Sequence, residues 1–307
     1  MTINVYVTHH VTEALDGIND ILIDQLYRMQ PQCQADVRIL VAYWTNQARY
    51  REDLEQRVPN GVELLFNDRE GRPDTQPSLR NKIVEHARQD PKCEAFALVH
   101  NDVRFARGFV NTLVTDWRAA EKRWGKDQTI ITPRYIPYHL DAPDPRAVTK
   151  PEYWERLLAN KCVKTSEVMQ AWCAGWQFEF SKGEVSCIQP SSTNDTGHQL
   201  MMFMAGKRFF DRVGLCDENF TGLNIDDCEW GMRALMAGKK NLMSTGALLG
   251  HVGSLSFGAV VGSREWLAKA ANNEAVFVAK WGRALMDEMH SGAIWARLRD
   301  NSTTEGL

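Results

Sequence analysis

Short apolar runs alternate with amphipathic segments through the first 133 residues, and this alternation restricts the fold more than any other feature of the chain. "INVYVTHH" reads as a strand. "EALDGINDILIDQLYRM" then places Leu15, Ile18, Leu22, Leu26 and Met29 at helical spacing. "VRILVAYW" and "VELLF" are further strands. "SLRNKIVEHAR" is a helix with Ser78 as its expected cap. "AFALVHNDV" is a strand ending in polar residues, "FVNTLVTDWRAAEKRW" a helix and "TIITP" a strand. Repeated βαβ units of this kind predict an α/β fold: a mostly parallel, twisted sheet covered by helices.

The pattern changes at Tyr135. From there to about His198 the chain is rich in Pro, Trp, Ser and Lys, which suggests an insertion of short helices and hairpin-like strands. Regularity returns with "LMMFMAGKRFFDRVG" and with "NLMSTGALLGHVG", and Ser263 to Arg299 reads as helical. The expected organisation is one domain over 1–262, divided near 133 and 197 by the insertion at 134–197, followed by a helical C-terminal extension over 263–307.

Composition removes several classes of function. Of the 307 residues, 44% are hydrophobic and 24% charged, with a formal net charge of -3, so broad attraction to nucleic acid or anionic membranes is not expected. The seven cysteines form no Cys-x-x-Cys pair, which argues against a zinc site or a disulfide framework and for a reducing compartment. The opening "MTINVYVTHHVTEALD" lacks the basic start and apolar run of a signal peptide, and no segment is apolar for long enough to span a bilayer. A cytoplasmic protein is expected.

Open parallel sheets bind ligands beyond the carboxyl ends of their strands. Polar clusters fall at such ends: His9 and His10, Asn67 and Asp68, and His100 to Asp102. Were the strand to continue through "LVHNDVRF", His100 and Asp102 would share one side and suit a divalent cation beside phosphate oxygens. A plain strand-to-helix turn explains the same residues. In "DENFTGLNIDDCEWGMRALMAG", Asp226 and Glu229 fit a capping box, Glu229 and Arg233 an i,i+4 surface pair, and Gly238 a helix terminator. Helix grammar leaves Asp227 without a task. At a helix N-terminus its carboxylate is expected to stay ionised and able to accept a proton. His251, between Gly250 and Gly253, is either a ligand for metal or diphosphate or a strand-end histidine with a satisfied hydrogen bond. Arg80 and Asn81 lie early in a helix whose N-terminus suits an anion. The rings of Tyr153, Trp154, Trp172, Trp176, Phe178 and Phe180 offer stacking faces or a satellite core.

In their order along the chain, these motifs resemble the inverting nucleotide-sugar glycosyltransferases with the GT-A fold, of the family 2 type. "VYVTHHV" looks like the polar turn that lies against the nucleotide in that family. "SLRNKIVEHA" matches its Arg-Asn pair, and "LVHNDVRF" a variant Asp-x-Asp motif with Asp102 in the metal-binding position. "GLCDENF", "DDCEWGMR" and "HVGSLSF" are similar to its later blocks. His100 and Asn101 stand where acids are often found, and Asp226 and Glu229 replace Glu and Asp.

The resemblance implies a GT-A type, Rossmann-like fold and transfer of a hexosyl or pentosyl group from a nucleotide-diphosphate sugar to an acceptor hydroxyl with inversion. It implies Asp227 as base, and donor contacts from Thr8, His9, Arg80, Asn81, Asn101 and Asp102. Asp102 and His251 would hold Mn2+ or Mg2+, and Trp230, Asp226 and Glu229 would meet the acceptor. The acceptor is a glycan, a small molecule, or a hydroxymethylated base in DNA, as in phage enzymes. DNA would need a basic track, for which "AGKRFFDR", "AGKK" and "WARLR" are local clusters. An inactive nucleotide- or glycan-binding protein on the same fold is the alternative outside catalysis. A nucleotidyltransferase would need a Gly-rich loop after the first strand, and "VTHHVTEALDG" has none.

Overall fold

The structure is a computed structural model. It describes residues 1–10, 18–44, 48–66, 75–101, 103–105, 108–137, 187–188, 202–221, 225–251, 264–291, 293–294 and 297–298. In chain order its elements are β1 (Thr2–His10), α1 (Ile18–Met29), β2 (Val37–Trp44), α2 (Ala48–Arg57), β3 (Glu63–Phe66), α3 (Gln76–Gln89), β4 (Cys93–His100), β5 (Val103–Phe105), α4 (Phe109–Trp124) and β6 (Thr129–Pro137). There follow β7 (Cys187–Ile188), β8 (Phe203–Gly206), α5 (Phe210–Val213), α6 (Asp226–Met236), β9 (Lys240–His251), α7 (Arg264–Trp281) and α8 (Arg283–Ser291).

The strands form one sheet in the order β3-β2-β1-β4-β8-β6-β9-β5, with β7 pairing β9. The long pairings are parallel: β1 lies between β2 and β4, and β6 runs alongside β9. β8 is antiparallel to both β4 and β6, so β4, β6 and β9 share the direction of β1. Their carboxyl ends therefore lie along one edge.

Alternation along each strand explains how the sheet is covered on both faces. Ile3, Val5 and Val7 of β1 join Leu22, Leu26 and Met29 of α1, Leu54 of α2 and Leu113 and Trp117 of α4 in one core. Tyr6, between them in β1, faces the other way, into a core with Leu79 and Ile83 of α3, Phe96, Phe203, Phe210 and Trp230. A third core joins α6 to the C-terminal helices through Phe220, Cys228, Met232, Phe277, Met286 and Leu298. The extension at the C-terminus is thus packed on α6.

Three sequence expectations are corrected. The cap of α3 is Thr75, whose hydroxyl accepts the Ser78 amide at 3.4 Å; the helix starts at Gln76, with Pro77 in its first turn, earlier than "SLRN" suggests. The strand carrying "LVHND" does not continue. It ends at His100, and Val103–Phe105 leaves to pair antiparallel with Leu249–His251 of β9. β6 continues past Pro133 to Pro137, and of the expected insertion only Cys187 and Ile188 are described. Its aromatic residues lie outside the described residues, as do Asn67 and Asp68.

Candidate active site

Two parallel strands, β1 and β4, deliver polar residues to the carboxyl edge of the sheet. Thr8 pairs with His100 in register, and its hydroxyl donates to the Val99 carbonyl at 3.2 Å. Both residues are half-buried. His9 is fully buried. Asn101 Nδ2 lies 2.8 Å from His9 Nδ1 and donates to it, which leaves Nε2 as the protonated nitrogen, donating to Asn19 Oδ1 at 2.7 Å. Asn19 Nδ2 donates in turn to Asp53 Oδ2 at 2.7 Å, and Gln25 Nε2 to the Asn101 carbonyl at 3.0 Å. The His9 and Asn101 side chains, expected to meet a donor, are engaged with protein partners. They bond to each other, because a buried imidazole needs partners on both nitrogens. The pair fixes the turn that follows β4.

The carboxyl edge is also where β9 ends. A bulge precedes that end. Pro133 pairs with Ser244 but Arg134 pairs with Leu248, so three residues of β9, 245 to 247, stand out of register. Ser244 closes the bulge, its hydroxyl accepting the Ala247 amide at 2.9 Å and donating to the buried Asp116 of α4. Beyond it, the backbone of His251 pairs with Val103, the residue after Asp102 in sequence. Asp102 lies outside the described residues, and the side chain of His251 is not described. Among the described residues no three His, Cys, Asp or Glu side chains gather as a metal site.

The third contribution is the start of α6. This helix precedes β9, packs beside it and ends at a glycine terminator. Gly238 has φ 72°, its amide reaches the Leu235 carbonyl at 2.9 Å, and the Lys239 amide reaches that of Ala234 at 3.0 Å. The C-terminus of α6 thus lies at the amino end of β9, and its N-terminus points back to the edge carrying Thr8 and His100. α3, which precedes β4, is oriented the same way, so the two N-termini meet. Arg80 Nη1 donates to Asp226 Oδ2 at 2.5 Å, with side chains only 3% and 4% exposed. Arg80 Nη2 donates to Gln76 Oε1 at 3.2 Å. Asn81 binds the other side of the junction: Nδ2 donates to the Cys216 carbonyl at 3.0 Å and to Glu218 at 2.8 Å, while Oδ1 accepts the Cys216 amide at 2.7 Å.

These bonds correct the roles expected for the motif. Arg80 and Asn81 tie α3 to the "GLCDENF" and "DDCEWGMR" segments; their polar atoms are turned to protein and not to an open anion site. Asp226 is not the cap. Ile225 holds that position without a side-chain bond, because the guanidinium draws the Asp226 carboxylate into a stronger, charge-assisted contact. Glu229 is buried, and its pair with Arg233 at 2.9 Å is not a surface one; Lys280 at 3.0 Å and Trp281 Nε1 at 3.2 Å complete its partners. Trp230 offers no face to an acceptor. It is fully buried, stacked on Phe210 with centroids 4.2 Å apart, and its Nε1 donates to the Gly214 carbonyl at 2.9 Å.

Asp227 lies beside this junction, 4% exposed, its Oδ1 accepting the Cys228 amide at 3.0 Å. Burial, with the charge of Asp226 beside it, pushes its carboxyl from 3.8 up to about 7, against the pull of Arg80. The ionised state expected from the helix dipole alone is therefore corrected: desolvation outweighs a dipole contribution of about 1 kcal/mol. A carboxylate that exchanges its proton near neutrality is suited to acid–base work.

An open cleft of about 590 Å³ lies elsewhere, at the amino ends of the strands, lined by Thr2, Arg38, Glu63, His86, Asp90 and Lys92. Its walls pair among themselves, Arg38 with Glu63 at 2.8 Å and Asp90 at 2.6 Å. Cys33, Cys93, Cys216 and Cys228 are free thiols. Among the described residues no helix is long and apolar enough to cross a membrane.

No protein-family model matches the chain, and no curated protein matches it in sequence. Solved structures match it in fold. GalNAc-T7 with UDP, GalNAc and Mn2+ aligns at 14% identity with a TM-score of 0.50, over 82% of this chain and 44% of that one. S. aureus TarS 1–349 aligns at 8% identity and TM-score 0.43, over 83% and 61% respectively. The chain spans less than two thirds of either. Its architecture is a GT-A type α/β fold.

Proposed function

We propose that the protein is a nucleotide-sugar-dependent glycosyltransferase in which Asp227 takes the proton of the acceptor hydroxyl. The observation that carries this reading is a carboxyl group lifted to about 7, in a fold of the GT-A type, at the end of the sheet where that fold gathers its polar strand ends. The structure neighbour solved with UDP, GalNAc and Mn2+ supports a sugar nucleotide as the class of donor.

The donor lies over Thr8 and His100, whose backbones line the strand ends, with His9 and Asn101 bracing the turn beneath. Asp102 and His251 are the residues that would hold Mn2+ or Mg2+, and the pairing of His251 with Val103 fits that assignment. Such an ion would offset the charge that builds on a departing diphosphate. The acceptor hydroxyl attacks the anomeric carbon from the face opposite the diphosphate, and Asp227 accepts its proton as the bond forms, which gives inversion. A glycan or small-molecule acceptor fits a chain of net charge -3 better than DNA does.

A thermal-shift series with nucleoside diphosphates, with and without manganese, tests the donor assignment, because any ligand that prefers the folded state raises the midpoint. At least one diphosphate should stabilise the protein, more strongly with manganese. If no nucleoside diphosphate shifts the midpoint at millimolar concentration, the reading is wrong.

A further inference from the structure

The Arg80–Asp226 pair is the least expected feature of this site. Two charged side chains 146 positions apart in sequence meet almost out of reach of solvent, one step along the chain from the proposed base. Burying such a pair costs several kcal/mol of hydration per ion, and packed apolar side chains would join two helices without that cost. Arg80 is also held at its second nitrogen by Gln76, which keeps the guanidinium from turning away. Asn81 clamps the adjoining Cys216 backbone from both its amide atoms. The assembly reaches the first turn of α6 from outside it.

We propose that Arg80 and Asp226 are positioning residues for Asp227: a buried ion pair that ties α3 to the first turn of α6 and holds one charge of each sign beside the residue read as the base. The inference rests on the reading of Asp227 as the base. The charges act in opposite directions. Asp226, adjacent in the chain, disfavours a second negative charge, whereas Arg80, from α3, favours it. Burial works against the guanidinium's own charge, and the Asp226 carboxylate, bonded to it and assisted by Asp227, outweighs that effect, so Arg80 stays cationic. Cys216, from the segment before α6, is also buried near Arg80 and Asp226, and burial pushes its thiol well above the usual range, so it contributes no charge at neutral pH. The other charges of α6, Glu229 and Arg233, bond to each other, with Lys280 of α7 on the outer side. Among the described residues, Arg80 and Asp226 are thus the two opposed charges beside Asp227.

The test is the carboxyl-carbon titration of Asp227 in full-length protein labelled with 13C-aspartate, its resonance identified by its loss in Asp227→Asn. Asp226→Asn should lower the titration midpoint by about one pH unit or more, and Arg80→Gln should raise it by a similar amount. Arg80→Lys, which keeps the cation, should stay closer to wild type than Arg80→Gln. Opposite displacements are not what a merely structural role would give. Movement in the same direction, or no movement in either variant, overturns the proposal. Should Arg80→Gln fail to fold, Asp226→Asn decides alone: an unmoved or raised midpoint overturns it. Nucleoside-diphosphate release by the same variants separates the two readings. A release profile that follows the carboxyl titration supports both. A titration that moves while release stays fixed in pH upholds the pair's hold on Asp227 and removes Asp227 as the base.

Discussion

Replacing Asp227 by asparagine removes a charge that the folded protein disfavours, so the variant should lose turnover and gain stability together. The carboxyl titrates near 3.8 when unperturbed and at about 7 in the folded chain. Between those values the folded protein holds a proton that the unfolded chain has released. Stability therefore falls as pH rises from about 4 to about 7, and is flat in this contribution above that. Three pH units correspond to on the order of 4 kcal/mol, as an upper limit, since Asp226 and Arg80 share in the titration. Asparagine keeps the oxygen that accepts the Cys228 amide and carries no charge, so it is free of this loss. Urea unfolding at pH 4, 6 and 8 measures the difference. The variant should match wild type at pH 4 and show a higher midpoint at pH 8 with an unchanged slope. Its turnover should drop roughly 10²–10⁴-fold while diphosphate binding survives. A variant less stable than wild type at pH 8 would refute the desolvated-carboxyl account, whatever its activity.

Trp230→Ala should cost about 3–5 kcal/mol, measured by urea unfolding, because it empties the stack on Phe210 and orphans the Gly214 carbonyl. If instead it left stability intact and raised only the acceptor KM, its placement as a core residue would be wrong. Phe277→Ala should cost a similar amount by opening the core that α7 shares with Phe220 and Met232 of the α6 region; a loss below about 1 kcal/mol would show that the C-terminal helices are dispensable.

Much of the sheet was legible because parallel strands buried on both faces write themselves as apolar runs with few interruptions, as in β1, β2 and β4. The stripe of Leu22, Leu26 and Met29 announced α1, and Gly238 the end of α6. α2 was invisible: among its described side chains "ARYREDLEQR" sends one fully buried residue, Leu54, into the core, which leaves no periodic signal. The break after β4 was missed because Val103 suits either strand, and its choice of β9 depends on a partner nearly 150 residues away.

In the site, residue types were readable and partners were not. Asp226 before Glu229 looks like a capping box until Arg80 arrives from α3. Nothing local marks His9 as the buried partner of Asn101 and Asn19, or Lys280 as a partner of Asp217 and Glu229, at 3.0 Å from each. Trp230 was misjudged because proximity in sequence to a carboxylate says nothing about which face of α6 it occupies. Two positions on, Met232 packs into a different core from Trp230.

The proposed function rests on Asp227 as the base in transfer from a sugar nucleotide. Its most direct test is release of nucleoside diphosphate from a panel of sugar nucleotides at pH 8, in manganese and in chelator, by wild type and Asp227→Asn. Manganese-dependent release by wild type, cut at least about a hundredfold in the variant, is the result the account predicts. Equal release by the two proteins, or none from any sugar nucleotide with any acceptor class supplied, would contradict it.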